Sequence, residues 1–380
     1  MRAKATIQAN PFKPTAGKMP PILVGREDII VDFSDGLVNG AGAPGRLMLI
    51  SGQRGFGKTV LLTELARIAE AYGWLTVRET AAQGMCDRIV RALGGTGPHV
   101  TGVDLDPSVD IAGVAGARLG RVSVSLPSSL DIRDAASRRF RHMRPGTGIL
   151  FTVDETQAAR RDELVAIATA VQHVIADQDM TNVSDAEKHG VALVLAGLPS
   201  MMDDLVNDEV LTFLRRAMRQ DLGPVMVPDV RNAYQQSVAD SGLHIGDEEA
   251  LAAARASLGY PYLVQLVGYY MWQSARRRKS GVIEMADVER ATQDAGIAFQ
   301  DAVCAPAYKG LTSAQRTFLT MMAQDWPNPS NVSEVARRAG RSRSWASKYR
   351  ESLIRAHMIE GLGDGLVEYA IPYLGEYLTR

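Results

Sequence analysis

Along the first 230 residues, short apolar runs alternate with longer stretches whose apolar positions recur every three or four residues. RLMLIS (46–51), WLTVRET (74–80), GILFTVDET (148–156) and VALVLAG (191–197) have the length and density of buried strands, and LGPVMVP (222–228) reads as a short final one. Between them, residues 22–37, 59–73, 84–95, 131–146 and 162–178 carry helical spacing. Strands alternating with helices predict a parallel sheet covered on both faces, spanning residues 22–228. A Gly-rich, β-branched segment near 100–127 interrupts the alternation and reads as a hairpin insertion. Residues 1–21, marked by prolines, read as an extended arm. From 229 to 305 the strand signal stops and four helical patterns follow one another, the composition of a small α-helical lid.

Composition narrows the class without changing this picture. The chain of 380 residues is 46% hydrophobic with a formal charge of −1, so a generally basic nucleic-acid coat is excluded. Its two cysteines, Cys86 and Cys304, make no disulfide framework or metal spacing, which favours a reducing cytoplasm and no resident metal beyond one carried with a ligand. No apolar run approaches a bilayer span and the first residues lack a signal segment, so no membrane contact is expected.

The chemistry concentrates after the first strand. GQRGFGKT (52–59) fits G-x-x-x-x-G-K-[ST], a loop whose backbone N–H groups wrap a phosphate at a helix start. Gly52, Gln53, Arg54, Gly55, Phe56, Gly57, Lys58, Thr59 and Val60 would line it, with Lys58 on the terminal phosphates and Thr59 on Mg²⁺. The strand GILFTVDE ends in Asp154 and Glu155. Asp154 would hold the Mg²⁺ shell and Glu155 would polarise the attacking water, although DE at such a point also simply begins a polar loop. The predicted ligands are ATP and ADP with Mg²⁺, and the predicted activity is slow ATP hydrolysis.

VGRE (24–27), GQRGFGKT, VDE (153–155), VLAGLPS (194–200) and GYP (259–261), in this order, resemble the AAA+ class of P-loop ATPases, and within it the origin-recognition-like ATPases and their STAND signalling relatives. The resemblance implies that Val24, Gly25 and Arg26 lie near the adenine, the bland alternative being an ordinary helix start. It implies that Pro261 packs on the nucleotide from the lid; proline at a first helical position is the competing reading. The strand ending at Gly197 should carry a sensor residue, but the usual Asn is missing and Ser200 is the nearest polar group. No arginine stands beside GYP, and Arg276 to Arg278 read as a solvated helix end. Arg215 and Arg216 occupy the place of an arginine finger offered to a neighbouring subunit, or else a solvated helix face; the former implies a homo-oligomer.

Residues 306–380 differ again: helix, short helix, turn, longer helix, then two strands joined by GLGDG. That order resembles a winged helix-turn-helix. Between Asn331 and Glu360 there are seven Lys or Arg against three acids. Arg341, Arg343, Ser344, Lys348 and Arg350 cluster on or beside the third helix, suited to duplex DNA phosphates and base edges. Asp364 at the hairpin tip does not suit phosphate. Two functions therefore stand: an ATPase whose nucleotide state controls duplex DNA binding, or a STAND-like ATP/ADP switch whose winged helix docks a protein partner. A metabolic kinase is disfavoured by the absence of a small-molecule pocket motif.

Overall fold

The computed structural model describes residues 9–15, 24–40, 42–53, 55–94 and 129–380. The hairpin read near 100–127, most of the arm and Arg54 lie outside the described residues. In chain order the first elements are α1 (Glu27–Val38), β1 (Leu47–Gly52), α2 (Lys58–Ala71), β2 (Leu75–Thr80), α3 (Met85–Ala92), α4 (Ser129–Phe140), β3 (Gly148–Asp154), α5 (Arg161–Asp179), β4 (Gly190–Gly197), α6 (Pro199–Asn207) and β5 (Met218–Leu222). The strands form one parallel sheet in the order β2-β3-β4-β1-β5.

β3 and β4 are buried at every position, which explains their near-continuous apolar runs. Side chains alternate across the sheet. Met48, Ile50, Leu150, Val194 and Ala196 join one apolar cluster that includes α2, while Leu49, Ile149, Phe151, Val153 and Leu195 join another that includes α3 to α6. Because all five strands run the same way, their carboxyl ends gather at one edge, where ligands bind in open α/β sheets.

The last strand departs from expectation. It is MRQDL (218–222), not LGPVMVP, which shares only Leu222 with it and whose other residues form the following loop and the start of the next helix. As an edge strand, β5 alternates between half-buried and exposed positions up to its buried last residue, Leu222, and so shows little apolar signal. Pro224 and Pro228, lacking N–H groups, bar the more apolar run from a ladder.

A helical layer follows: α7 (Val227–Asp240), β6 (His244–Ile245), α8 (Asp247–Ala256), α9 (Pro261–Arg277), β7 (Val282–Ile283), α10 (Met285–Phe299) and, after a π-helical stretch, α11 (Ala305–Lys309). Next come α12 (Ser313–Met322), β8 (Ser330–Asn331), α13 (Val332–Arg338), α14 (Arg343–Arg355), β9 (Ile359–Gly363), β10 (Leu366–Tyr369) and α15 (Leu374–Thr379). Thr312 caps α12 by accepting from the Gln315 N–H, and Ser342 caps α14 by accepting from Trp345. β9 and β10 turn through Asp364 and Gly365, both left-handed, and β8 adds a third short strand the sequence pattern does not show. The apolar cluster on the α2 face continues through α7 to α10 and into this C-terminal module without a break.

Residues 9–15 dock on the helical layer. Asn10 Nδ2 donates to the Tyr269 carbonyl at 3.0 Å, and the Lys13 N–H donates to Gln265 Oε1 at 3.0 Å. Phe12 is 2% exposed, stands edge-on to Tyr234 and lies against Gly268 on α9.

Candidate nucleotide site

The loop between β1 and α2 takes its shape from Gly55 and Gly57, with φ of +86° and +85°. Both torsions belong to the left-handed region that side chains rarely adopt. A Cβ at Gly55 would also lie 2.5 Å from the Tyr260 ring. The turn delivers the chain into α2 at Lys58, and the start of a helix, whose first N–H groups have no acceptor within the helix itself, is an anion-binding arrangement. Lys58 is buried, and its ammonium donates to the carbonyls of Gly52 at 2.7 Å and Gln53 at 3.0 Å. A phosphate seated in the loop would replace such carbonyl contacts with stronger charge-assisted ones.

Asp154, at the end of β3, is buried and joined directly to the loop: Thr59 Oγ1 donates to Asp154 Oδ2 at 2.5 Å. Its other oxygen accepts the Glu155 N–H at 2.8 Å. One hydroxyl and one carboxylate facing each other suit a hard cation that takes its remaining ligands from phosphate and water. Among the described residues no cluster of three or more His, Cys, Asp or Glu could hold a metal independently. Glu155 follows with φ +52°, and its carboxylate accepts from Gln157 Nε2.

On the edge nearest β5, Arg26 Nη2 donates to the Gly223 carbonyl at 2.7 Å, and burial lowers the Arg26 pKa from its ordinary value. Gly25, half-buried beside Val24, approaches Val225, whose N–H donates to the Gly259 carbonyl at 2.7 Å. The VGR segment, the loop after β5 and the GYP turn thus meet at one place. Pro261 starts α9 with its Cβ 4.0 Å from where a Gly57 Cβ would stand. Tyr260 is the stronger contact: it is 2% exposed and packs 4.5 Å from Phe56 and 5.2 Å from Phe299.

A cavity of about 410 Å³ opens beside the loop. Gly52, Gln53 and Phe56 line one side, Asp203, Arg219 and Asp221 another, and His357, Glu360, Ala370 and Pro372 of the C-terminal module a third. Asp221 accepts a hydrogen bond from Ser51. His357 is half-buried, in the turn from α14 to β9 with φ +52°, and its Nε2 has no hydrogen-bond partner. Burial holds the imidazole below its ordinary pKa of 6.5; Glu360 raises it, Lys58 lowers it further and Asp203 raises it.

Other predicted residues lie away from this site. Arg215 and Arg216 are exposed at the start of β5, the opposite sheet edge from the phosphate loop, and Arg215 Nε donates to the Val206 carbonyl at 3.1 Å. Ser200 sits half-buried in the first turn of α6. Arg278 is held by Asp287 and Glu284, and Arg276 stacks over Trp272. In the C-terminal module, Arg341, Arg343, Ser344 and Lys348 are exposed. Arg350 is half-buried instead, its guanidinium against Gly361 on β9. Trp345 and Tyr349 pack on each other, with Phe318 beyond Trp345.

Gln157, Tyr260 and His357 join the site without having been singled out from the sequence. Tyr260 stands inside the quoted GYP and Gln157 two positions after Glu155, so both had a local signal. His357 had none, because only packing between distant segments brings it here.

Residues 22–183 match the family model described as an AAA ATPase domain, and residues 301–378 match that of a domain of unknown function (DUF8462). No curated protein matches in sequence. Among solved structures, the chain is similar to the ORC2 protein of Aeropyrum pernix in ADPNP–ADP complexes, at 14% identity and a TM-score of 0.63 over 96% of each chain. It is also similar to Cdc6p of Pyrobaculum aerophilum, at 15% identity and a TM-score of 0.50 over 96% of each chain. At these identities the likeness is one of fold: a P-loop AAA+ core followed by a mostly helical C-terminal region.

Proposed function

We propose that this chain, which carries an AAA ATPase domain, binds and slowly hydrolyses ATP and uses its nucleotide state to control duplex DNA binding by a C-terminal winged helix. The carrying observation is the shared cavity: Gly52 and Gln53 of the phosphate loop and His357 and Glu360 of the C-terminal module line the same space. A nucleotide entering the loop alters the charge facing that wall, and a ligand that interacts differently with two arrangements shifts their populations.

In this reading Lys58 and the N–H groups of 55–60 hold the phosphates, and Val24, Gly25 and Arg26 edge the base. Helices α7 to α10 act as a lid through Tyr260 and Pro261. Thr59 and Asp154 would hold Mg²⁺, which supplies neutralisation of phosphate charge when bound. Glu155 accepts the proton of the attacking water. Arg215 and Arg216, too far from their own loop, would serve a neighbour's nucleotide in a homo-oligomer. Exposed Arg341, Arg343, Ser344 and Lys348 face DNA, while half-buried Arg350 stabilises the hairpin.

The second reading, a STAND-like switch whose C-terminal module docks protein, is favoured by that module's seat against the phosphate loop, which suits a closed state. Fluorescence anisotropy of a labelled duplex separates the two. Salt-sensitive binding strengthened by ATP, and lost in Lys58→Ala, supports DNA control. Absence of binding in every nucleotide state at low salt refutes it and favours the switch.

A further inference from the structure

Glu155 stands beside a β4 end that offers no polar side chain. That end reads Gly197-Leu198-Pro199; Pro199 has no N–H, so the Leu198 N–H is the nearest backbone donor. Gln157 meets it: Gln157 Oε1 accepts from Leu198 N at 3.2 Å, and Gln157 Nε2 donates to Glu155 Oε2. Both neighbours dictate the same amide orientation, because an N–H can only donate and an ionised carboxylate can only accept. We propose that Gln157 is a positioning residue that ties the carboxylate of Glu155 to the end of β4, supplying from the loop after β3 the polar group β4 lacks. This rests on the ATP-hydrolysis reading above.

Three further features build the device. Gly197 makes room for it: a Cβ there would stand 2.1 Å from Thr156 Oγ1 and 3.1 Å from Gln157 Oε1. Glu155 holds a left-handed φ of +52°, uncommon for a non-glycine residue and found where surroundings enforce it. Its N–H is fixed on Asp154 Oδ1 at 2.8 Å. Backbone and side chain are therefore tied to different strands, Asp154 on β3 and, through Gln157, Leu198 after β4. The bond to Gln157 occupies Oε2 and leaves Oε1 for the proton of water. A displacement at the β4–α6 junction passes to the carboxylate through one rigid amide.

The test compares wild type, Gln157→Ala, Gln157→His and Glu155→Gln in steady-state ATP hydrolysis and in the Kd of a fluorescent ATP analogue. Misplacing a catalytic group by about 1 Å costs about 100-fold, so Gln157→Ala should lower kcat about 10- to 100-fold with Kd essentially unchanged. Histidine can accept from one N–H and donate from its other nitrogen, so Gln157→His should recover most of the loss. An unchanged or raised kcat in Gln157→Ala overturns the proposal, as does a parallel loss of affinity or a failure of histidine to rescue. Wild type no faster than Glu155→Gln refutes the hydrolysis reading and the proposal together. Wild type faster than Glu155→Gln with Gln157→Ala unaffected refutes the proposal alone.

Discussion

Gly268→Ala should destabilise the protein as it stands and stabilise it once Phe12 is removed. Glycine inside a helix is about 1 kcal/mol worse than alanine, so in isolation the change favours α9. In place, the new Cβ would lie 2.4 Å from Phe12 Cδ1 and 2.6 Å from Cε1 and Cγ. Carbon atoms are comfortable at about 3.5–4.0 Å, so the ring must retreat by more than about 1 Å. Overpacking of this kind costs about 1–3 kcal/mol, and the net effect is a loss of about 1 kcal/mol after the helical gain is subtracted. Phe12→Ala alone should cost about 3 kcal/mol, the low end for a buried Phe. Adding Gly268→Ala to it should then return about 1 kcal/mol, a coupling of about 2 kcal/mol between the two sites. Urea unfolding of the four proteins, followed by tryptophan fluorescence and compared at constant m, measures it; Trp272 reports from α9 itself. Additive effects, or a gain from Gly268→Ala in the intact chain, would refute the docking of residues 9–15 on α9.

Lys58→Ala removes a buried ammonium from the phosphate loop and should weaken an ATP analogue about 10- to 100-fold in equilibrium titration; an unchanged Kd would place the nucleotide elsewhere. Arg343→Ala with Lys348→Ala should lower duplex affinity without regard to sequence and reduce the slope of log K against log salt by about 1 for each phosphate left without its cation. An unchanged slope in the anisotropy titration would take both side chains out of the interface. His357 titrates against Lys58, Asp203 and Glu360, and its folded pKa lies below the ordinary 6.5 because the buried ring prefers to be neutral. Its contribution is therefore complete above about pH 6.5 and is lost as pH falls from there toward the lower folded value. Amide protection around residues 353–372, corrected for intrinsic exchange, should fall with acid in wild type and stay flat in His357→Gln. The same decline in both would exclude His357 as the cause.

The motifs that were readable in the chain are those whose geometry is local. Residues 52–59 encode their own loop, because glycines at 55 and 57 permit the left-handed torsions and the helix from Lys58 presents its N–H groups next door. Asp154 was readable as the end of a strongly apolar strand. β5 was misplaced because an edge strand half-exposed to solvent carries little apolar periodicity, while the proline-containing run after it carries more. Parallel strands stack their carboxyl ends, so the pairing of Thr59 with Asp154 across 95 positions also follows once the alternation is recognised.

What the tertiary structure decided is everything that depends on which distant surfaces share a face. Tyr260 could have been an ordinary residue before a helix; it lies on Gly55 because the loop after β5 holds the GYP turn against the sheet edge. Gln157 is a loop amide until the end of β4 supplies Leu198 on one side and the turn of Glu155 supplies a carboxylate on the other. His357 enters the cavity because one apolar cluster runs unbroken from the sheet through α9 and α10 into the C-terminal module. Torsional preferences act over a few residues and are written in the chain order. The seating of one module on another is the sum of many weak contacts, and no single segment contains it.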